Sequence, residues 1–378
     1  MVVDKRPFRF YDNRQKYLAF VNTCDEKWKV AERCAEELQY VEPQPPAFRL
    51  FDAGMGDGTL LTHLMRAMHR RHPTIPFYVV GKEISLEDIR LSLEKMPDRF
   101  VEHPASVIVF TNLYYAESPW LMPNNVEKLK ELNWLDVALK GDTAHGFGEQ
   151  LRALDSDLVE GWQVKASVKT GNPLYVKPTV LVLYREDHKF ALNDVIPRCG
   201  EEQASNYDLI VISQPWRARM GAEFKVSKVL APLVRSLAPG GRATVFQSMG
   251  NDPGLELVRK IWPDEDPFKV DRHELVDVLK AHLGDDVDNY EFDECSDEEA
   301  VFQYSMHTLP EEIGESIGTS TLFAAWNAAI YVAQIEDERL EPVASKGGYL
   351  EATSNVLQEN GGLWFNDETF AVTRKLIE

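Results

Sequence analysis

The chain has little that could cross-link it and nothing long enough to span a bilayer. Its four cysteines, Cys24, Cys34, Cys199 and Cys295, include no Cys-x-x-Cys pair and no histidine at metal-ligand spacing. A disulfide framework and a zinc site are therefore both set aside, and reduced thiols with no bound metal are expected. No apolar run approaches the roughly 20 residues of a membrane-spanning helix. Met1 to Phe10 is polar and charged rather than signal-like, so a soluble, cytoplasmic protein with no membrane partner is expected. Positive charge is also short, with 41 Lys and Arg against 61 Asp and Glu and a net charge of -20. Nucleic-acid binding draws on cations that neutralise phosphates, and so a DNA or RNA partner is not expected. Eighteen of the acids fall between Asp264 and Glu315, against Lys269, Arg272 and Lys280. A solvated acidic face is the favoured reading of that run over a surface that recruits cationic substrates.

At 378 residues and 44% hydrophobic, the chain can bury a full core, as two domains or as one carrying an insertion. Its most informative stretch is Phe51-Asp52-Ala53-Gly54-Met55-Gly56-Asp57-Gly58. Phe48, Leu50 and Phe51 read as a short buried strand, and Leu60, Leu61, Leu64, Met65 and Met68 as an amphipathic helix, so the glycines form a strand-to-helix turn. Gly54, Gly56 and Gly58 allow positive φ and carry no Cβ, which lets a ligand lie against the backbone. A second apolar run, 77–81, leads to Glu83, 25 positions after Gly58. A carboxylate at a second strand end suits the hydroxyls of a ribose. A nicotinamide dinucleotide fingerprint would need glycine or alanine at 59, where the chain has Thr59.

The pattern Asp-x-Gly-x-Gly-x-Gly resembles motif I of the class I S-adenosylmethionine (SAM)-dependent methyltransferases. SAM has no pyrophosphate and carries a sulfonium, so Asp52 and Asp57 near the loop are tolerable where they would repel phosphates. The resemblance implies SAM as cofactor, a methyltransferase activity and a Rossmann-like α/β fold. That fold is a seven-stranded methyltransferase sheet, here with an N-terminal helical cap and a large α+β insertion. It covers about 45–115 and 189–250. The strand 207–213, the helix through Val226, Leu230 and Leu233, and Leu237-Ala238-Pro239-Gly240-Gly241 before a strand 243–247 fit its second half. The run 369–373 fits its last, antiparallel strand.

Four regions are expected: a cap, 1–42; the first core part, 47–117; an inserted substrate or lid module, 118–188; and the second core part with the acidic region, 189–378. The cap reads as helical over 11–40, with Tyr11, Arg14 and Tyr17 as pocket candidates. The third strand is either 107–112 or 190–194. The adenine-side residue is accordingly Asp194, which the shorter connection to the next strand favours, or Asn112. Within the insertion, the first half reads as helical over 126–154. The second half reads as a hairpin, 162–168 with 179–184, about Thr170-Gly171-Asn172-Pro173. It serves as a lid, a substrate wall or a dimer arm, and a homodimer stays open.

Methyl transfer from a sulfonium is an in-line displacement that needs positioning and exclusion of water more than a catalytic triad. Ser213-Gln214-Pro215-Trp216 follows the fourth strand and partly resembles the Asn/Asp/Ser-Pro-Pro-aromatic motif of methyltransferases acting on planar nitrogens, with Gln214 in place of proline. Ser213 stands at the boundary between cofactor and acceptor, Gln214 beside it, and Trp216 either stacks on the acceptor or belongs to the core. Gly362-Leu363-Trp364-Phe365-Asn366-Asp367-Glu368-Thr369-Phe370 resembles the closing strand of histamine N-methyltransferase, in which an asparagine after an aromatic residue faces the amine, and Asn366 at that position is either a turn residue, the favoured reading, or such a contact. His145 is a candidate base. The expected acceptor is a small molecule methylated on nitrogen or oxygen. One alternative is a protein acceptor, signalled by an open groove beside Gln214. The other is SAM binding without turnover, signalled by side chains filling the space over Gly56.

Overall fold

Strands that are apolar along their whole length, rather than alternating, belong inside a sheet covered on both faces. That is the pattern of β1 (Phe48–Ala53), β2 (Phe77–Lys82) and β3 (Ser106–Thr111), in which every position except Arg49 is buried. The computed structural model describes residues 14–168, 173–200, 206–293, 295–314 and 316–376. Tyr11 and the turn residues Thr170, Gly171 and Asn172 lie outside them.

Two helices precede β1, α1 (Arg14–Thr23) and α2 (Glu26–Glu37), where the periodicity predicts one. The chain breaks between them because Cys24 bridges to Met306 and the Asp25 carboxylate accepts from the Ser305 N–H. Helices α3 (Thr59–Arg71) and α4 (Leu86–Glu102) then alternate with β1 to β3 as right-handed crossovers require. Ser85 caps α4, its hydroxyl accepting from the Asp88 N–H.

The third strand is thus 106–111, paired in parallel with β2. The preference for 190–194 is overturned, since that segment forms turns with Phe190 at 98% exposure. The following segment contains α5 (Val126–Lys130), β4 (Asn133–Leu139), α6 (Ala144–Arg152), α7 (Asp155–Gly161), β5 (Val164–Ala166), β6 (Pro173–Tyr175) and β7 (Thr179–Arg185). Two expectations fail here. The helical stretch is interrupted by β4, and 179–184 is no hairpin partner of 162–168. Instead β7 is buried at every position and lies between β3 and β4, while β5 pairs only with β6. A strand apolar on both faces gains more from the sheet interior than from an exposed hairpin. The segment expected as a separate module therefore extends the main sheet.

The second core part holds β8 (Tyr207–Ser213), α8 (Ala222–Lys225), a π turn over Val226–Leu230, α9 (Ala231–Arg235) and β9 (Leu237–Ser248). The Pro239-Gly240-Gly241 turn lies within β9 as a register shift against β8, where a Cβ on Gly241 would strike the Tyr207 carbonyl. There follow α10 (Pro253–Ile261), α11 (Arg272–Leu283), β10 (Tyr290–Asp293), α12 (Asp297–Ala300) and β11 (Val301–Ser305). Three helices, α13 (Thr319–Val332), α14 (Asp337–Ala344) and α15 (Gly348–Asn360), precede the final strand β12 (Trp364–Arg374).

The sheet order is β10-β12-β9-β8-β1-β2-β3-β7-β4, with β11 on β12. Without β4, β7 and β11, the seven core strands run 3-2-1-4-5-7-6 in chain order, and the last is antiparallel to β9. This is a doubly wound sheet whose connections reverse between β1 and β8. It is the Rossmann-like fold of the class I methyltransferases, with the antiparallel closing strand expected and three further strands. One apolar layer, with α2, α3 and α4, covers one face, and a second, with α9 and α11, covers the other. A third cluster joins α1, α10, α13 and α15 beside β12. Among the described residues no helix is long and apolar enough to cross a membrane.

Candidate functional site

In an open α/β sheet, ligands bind outside the carboxyl ends of the strands where the winding reverses. Here that place lies between the loop after β1 and the loop after β8.

Gly54, Gly56 and Gly58 have φ of 90°, 56° and 76°, conformations that L side chains rarely adopt. The Gly54 and Met55 N–H groups donate to the Lys82 carbonyl, which pins the loop to the end of β2. Glu83 continues that pin. Its Oε2 accepts from the Gly56 N–H at 3.0 Å, and its Oε1 accepts from the Ile84 and Ser85 N–H groups at 2.7 and 2.9 Å. Of the about four acceptor positions on a carboxylate, three are thus filled by backbone, leaving one on Oε2. The Trp162 indole N–H, from the segment between β3 and β8, donates to the Glu83 carbonyl at 2.8 Å. Burial raises the Asp57 carboxyl, but the Lys95 ammonium at 2.7 Å and the Thr59 hydroxyl at 2.6 Å outweigh it and hold the group below its ordinary value.

Asp52 stands apart. It is 1% exposed at the end of β1, and neither carboxylate oxygen has a hydrogen-bond partner. Burial, with Glu83 adding to it and Lys27 opposing, pushes its carboxyl up to about 7. An unpaired buried carboxylate beside a cradle that a Cβ would fill fits a cationic ligand laid against the backbone. The donor set therefore fits SAM, with Asp52 facing positive charge and Glu83 offering one position to a ribose hydroxyl.

The cap reaches the same loop. A Cβ on Gly56 would collide with the Tyr17 hydroxyl, and that hydroxyl accepts from the Asp57 N–H at 3.1 Å. Arg14 pairs with Glu87 at 2.7 Å. Neither adenine-side candidate offers a free group. Asn112 is fully buried and structural, its amide donating to the Gly161 and Lys177 carbonyls and accepting from the Thr179 N–H. Asp194 is exposed on a turn, bonded to Asn193.

Beyond β8, Gln214 holds φ at 48°, a strained value for its residue type that marks a position fixed by its surroundings. Its Nε2 donates to Asp367 Oδ2 and its Oε1 accepts from the Ser248 hydroxyl, both at 3.0 Å. Pro215 packs 3.4 Å from where a Cβ on Gly54 would stand, so the two loops meet. Trp216 is buried in the layer on the opposite face from Asp52, with Lys225 Nζ 5.5 Å from its ring centre; the structure gives it the core role. Asn366 lies within β12 rather than in a turn. Its N–H donates to Asp252 and its amide to the Asn251 carbonyl. Its neighbour Asp367 faces Gln214 instead. His145 is exposed, 3.7 Å from Glu149 on its own helix, and away from these groups.

Asp367 is fully buried, with Oδ1 unpartnered. Burial and then Glu26 push its carboxyl up to about 8, against bonds from Ser248 and Gln214. Sequence reasoning missed it, along with Glu26 and Lys27 on α2. A signal existed: on a strand from 364 to 374, Phe365, Asp367 and Thr369 share one face, an acid on an otherwise buried row.

No protein-family model matches the chain, and no curated protein does. Among solved structures it is similar to a geranyl diphosphate methyltransferase bound to GPP and sinefungin, at 12% identity and TM-score 0.35 over 92% of this chain and 78% of that one. A Galdieria sulphuraria protein assigned as a sarcosine dimethylglycine methyltransferase gives 10%, 0.37, 92% and 86%. PKMT2 from Rickettsia typhi, in complex with AdoHcy, gives 12%, 0.29, 99% and 55%. At such scores the likenesses decide neither donor nor acceptor, and the fold stands on the sheet order of this chain.

Proposed function

We propose that this chain, built on the class I methyltransferase fold, is a SAM-dependent methyltransferase acting on nitrogen or oxygen of a small molecule. The observation that carries the reading is the junction of three positive-φ glycines with the unpaired, buried Asp52 at the reversal point of the sheet. SAM, when bound, supplies an electrophilic methyl carbon on a sulfonium. The chain's own groups hold it: the glycine backbone lets it approach, Asp52 balances its positive charge, and Glu83 accepts from the ribose. Burial excludes water from the junction, which strengthens each of these contacts.

A small acceptor is favoured over a protein side chain because the groups beside Gln214 are enclosed rather than set in an open groove. Asp367 is fully buried, Ser213 5% and Ser248 7% exposed. Titration calorimetry with SAM and S-adenosylhomocysteine tests the reading. Binding is expected below millimolar concentration, and its absence for both ligands would sink the proposal. A metabolite screen for methyl acceptance then identifies the acceptor.

A second reading, SAM binding without turnover, draws support from Tyr17, whose hydroxyl closes over Gly56. On the first reading α1 is a cover that moves. Tyr17→Ala should then leave or improve SAM affinity while changing turnover, whereas a protein inert toward every acceptor in both forms favours the second.

A further inference from the structure

The register of the sheet gathers an unusual set of groups on one face. Aligned residues in neighbouring strands, and residues two apart along a strand, point the same way. Ser213 aligns with Phe246 and Phe246 with Thr369; Ser248 aligns with Asp367, and Tyr304 with Phe365. Ser213, Asp367, Thr369 and Tyr304 therefore share the face that carries Asp52. Each is at most 7% exposed, and each has a side-chain oxygen with no hydrogen-bond partner. Native proteins pair nearly all such atoms with protein, water or ligand, so several orphans on one patch of four strands mark a place able to receive a polar group. Adjacent strands lie about 4.8 Å apart, which keeps the span from Ser213 to Thr369 near 10 Å.

The charge of the patch selects the ligand. Asp52 and Asp367 come from the sheet and Glu26 and Lys27 from α2 above it, and Lys27 acts on both sheet acids. With Asp52 and Asp367 ionised, as they are above pH 8, three acids face one lysine, and a carboxylate or phosphate would meet net repulsion. An ammonium presents donors only, and the patch presents unpaired acceptors. Tyr304, stacked on Phe365 at 5.2 Å, and Phe20 at 6.1 Å from Tyr304 add aromatic faces of the kind that cations favour.

Resting on the methyltransferase reading, we propose that the acceptor is a small organic amine, and that Asp367 Oδ1, with the Tyr304 hydroxyl on the neighbouring strand, receives its nitrogen. The carboxyl lies one contact from Gln214, and Pro215 beside Gln214 touches Gly54, so the nitrogen is held next to the donor loop. An amine that arrives as ammonium must lose a proton before its lone pair can act. The N–H bond breaks, the pair stays on nitrogen, and an O–H bond forms on Asp367 Oδ1. A carboxyl raised by burial is a better match for that proton than an ordinary one.

The test uses the full chain saturated with S-adenosylhomocysteine, titrated with 2-phenylethylamine and with 3-phenylpropionate and followed by ligand-observed NMR. The amine should bind, about tenfold more tightly at pH 8.5 than at 6.5, and the acid should not. Asp367→Asn should lower amine affinity at least tenfold and erase that pH dependence while S-adenosylhomocysteine still binds. Tyr304→Phe, which keeps the ring, should weaken the amine alone by a few-fold and serves where Asp367→Asn fails to fold. The proposal is overturned by preferential binding of the acid, by amine affinity indifferent to both substitutions, or by no amine binding at millimolar concentration. It is also overturned if Asp367→Asn abolishes S-adenosylhomocysteine binding, which would give Asp367 to the donor's own ammonium. Failure of the unsubstituted protein to bind S-adenosylhomocysteine would instead remove the methyltransferase reading beneath it.

Discussion

The two rims of the reversal point differ in how they are satisfied. Around the loop after β1, most polar groups are answered by the chain itself: Glu83 by three backbone N–H groups, Asp57 by Lys95 and Thr59. Around the ends of β8, β9 and β12, oxygens of Ser213, Thr244, Asp367 and Thr369 are buried without partners. Among the described residues, the orphans beside this loop are both Asp52 oxygens and Asp88 Oδ1 at the start of α4. The donor rim is thus organised before anything binds, and its remaining acceptors are few and specific. The acceptor rim carries an electrostatic cost that only a bound cation or a proton relieves. Binding there should therefore respond to pH through Asp367, near 8, and binding at the glycine loop through Asp52, near 7.

The largest effect should come from breaking the donor rim. Gly56→Ala places a Cβ against Tyr17 at φ of 56° and fills the ligand's approach to the backbone. SAM affinity should fall at least 30-fold by calorimetry, and adding Tyr17→Ala should not restore it, because the backbone strain remains. Recovery in the double variant would mean that Tyr17, not the glycine cradle, governs the site. Next in size, Glu83→Ala should weaken SAM by roughly 1 to 3 kcal/mol for the lost charge-assisted bond. An unchanged affinity would remove Glu83 from the ribose role.

The pH response spans both rims. Burial raises Asp52 and Asp88 to about 7 and Asp367 to about 8. A folded acid with a raised value binds more protons than the unfolded chain, so its contribution is complete at low pH and is lost as pH rises from near 4 through 7 to 8. Each acid can contribute a slope of at most about 1.4 kcal/mol per pH unit. Urea denaturation of Asp367→Asn against the unsubstituted protein should therefore show the variant gaining relative stability between pH 5 and 8. A difference that is flat, or that falls with pH, would mean that Asp367 is paired in solution. Asp57, held low by its partners, should show the opposite dependence on removal.

How much of this was legible in the sequence follows the same division. The glycine turn and the place of Glu83 beside it were readable because backbone conformation constrains residue type at each position. The sheet was readable where strands are continuously apolar and closely spaced, as for β1, β2 and β8. It was misread between β3 and β8, because a strand buried by distant partners looks locally like a hairpin arm, and pairing across 68 positions, as for Thr111 and Thr179, leaves no local trace. Asp367 was missed for a related reason. Its proposed role rests on Gln214, 153 positions away, and on α2, and a lone acid in a strand carries no spacing signature. Of the two residues weighed for adenine, the choice turned on connection length, which the 118–188 segment defeats by joining the sheet.

That last misreading yields the smallest predicted effect and a clean separation of roles. Asn112 makes three side-chain bonds that tie the end of β3 to α7 and β7, so Asn112→Ala should cost about 1 to 3 kcal/mol of stability for the Thr179 N–H it leaves unpaired and the bonds it removes from the Gly161 and Lys177 carbonyls. Its effect on SAM affinity should be slight once the fraction unfolded is accounted for. Asp194→Ala removes an exposed side chain from a turn and should change both stability and SAM affinity within the roughly 0.5 kcal/mol expected of surface positions. Calorimetry and urea denaturation on the pair distinguish the cases. A loss of SAM affinity in Asp194→Ala without a loss of stability would bring the 190–194 turn to the ligand, and would require the donor rim to rearrange on binding rather than stand ready.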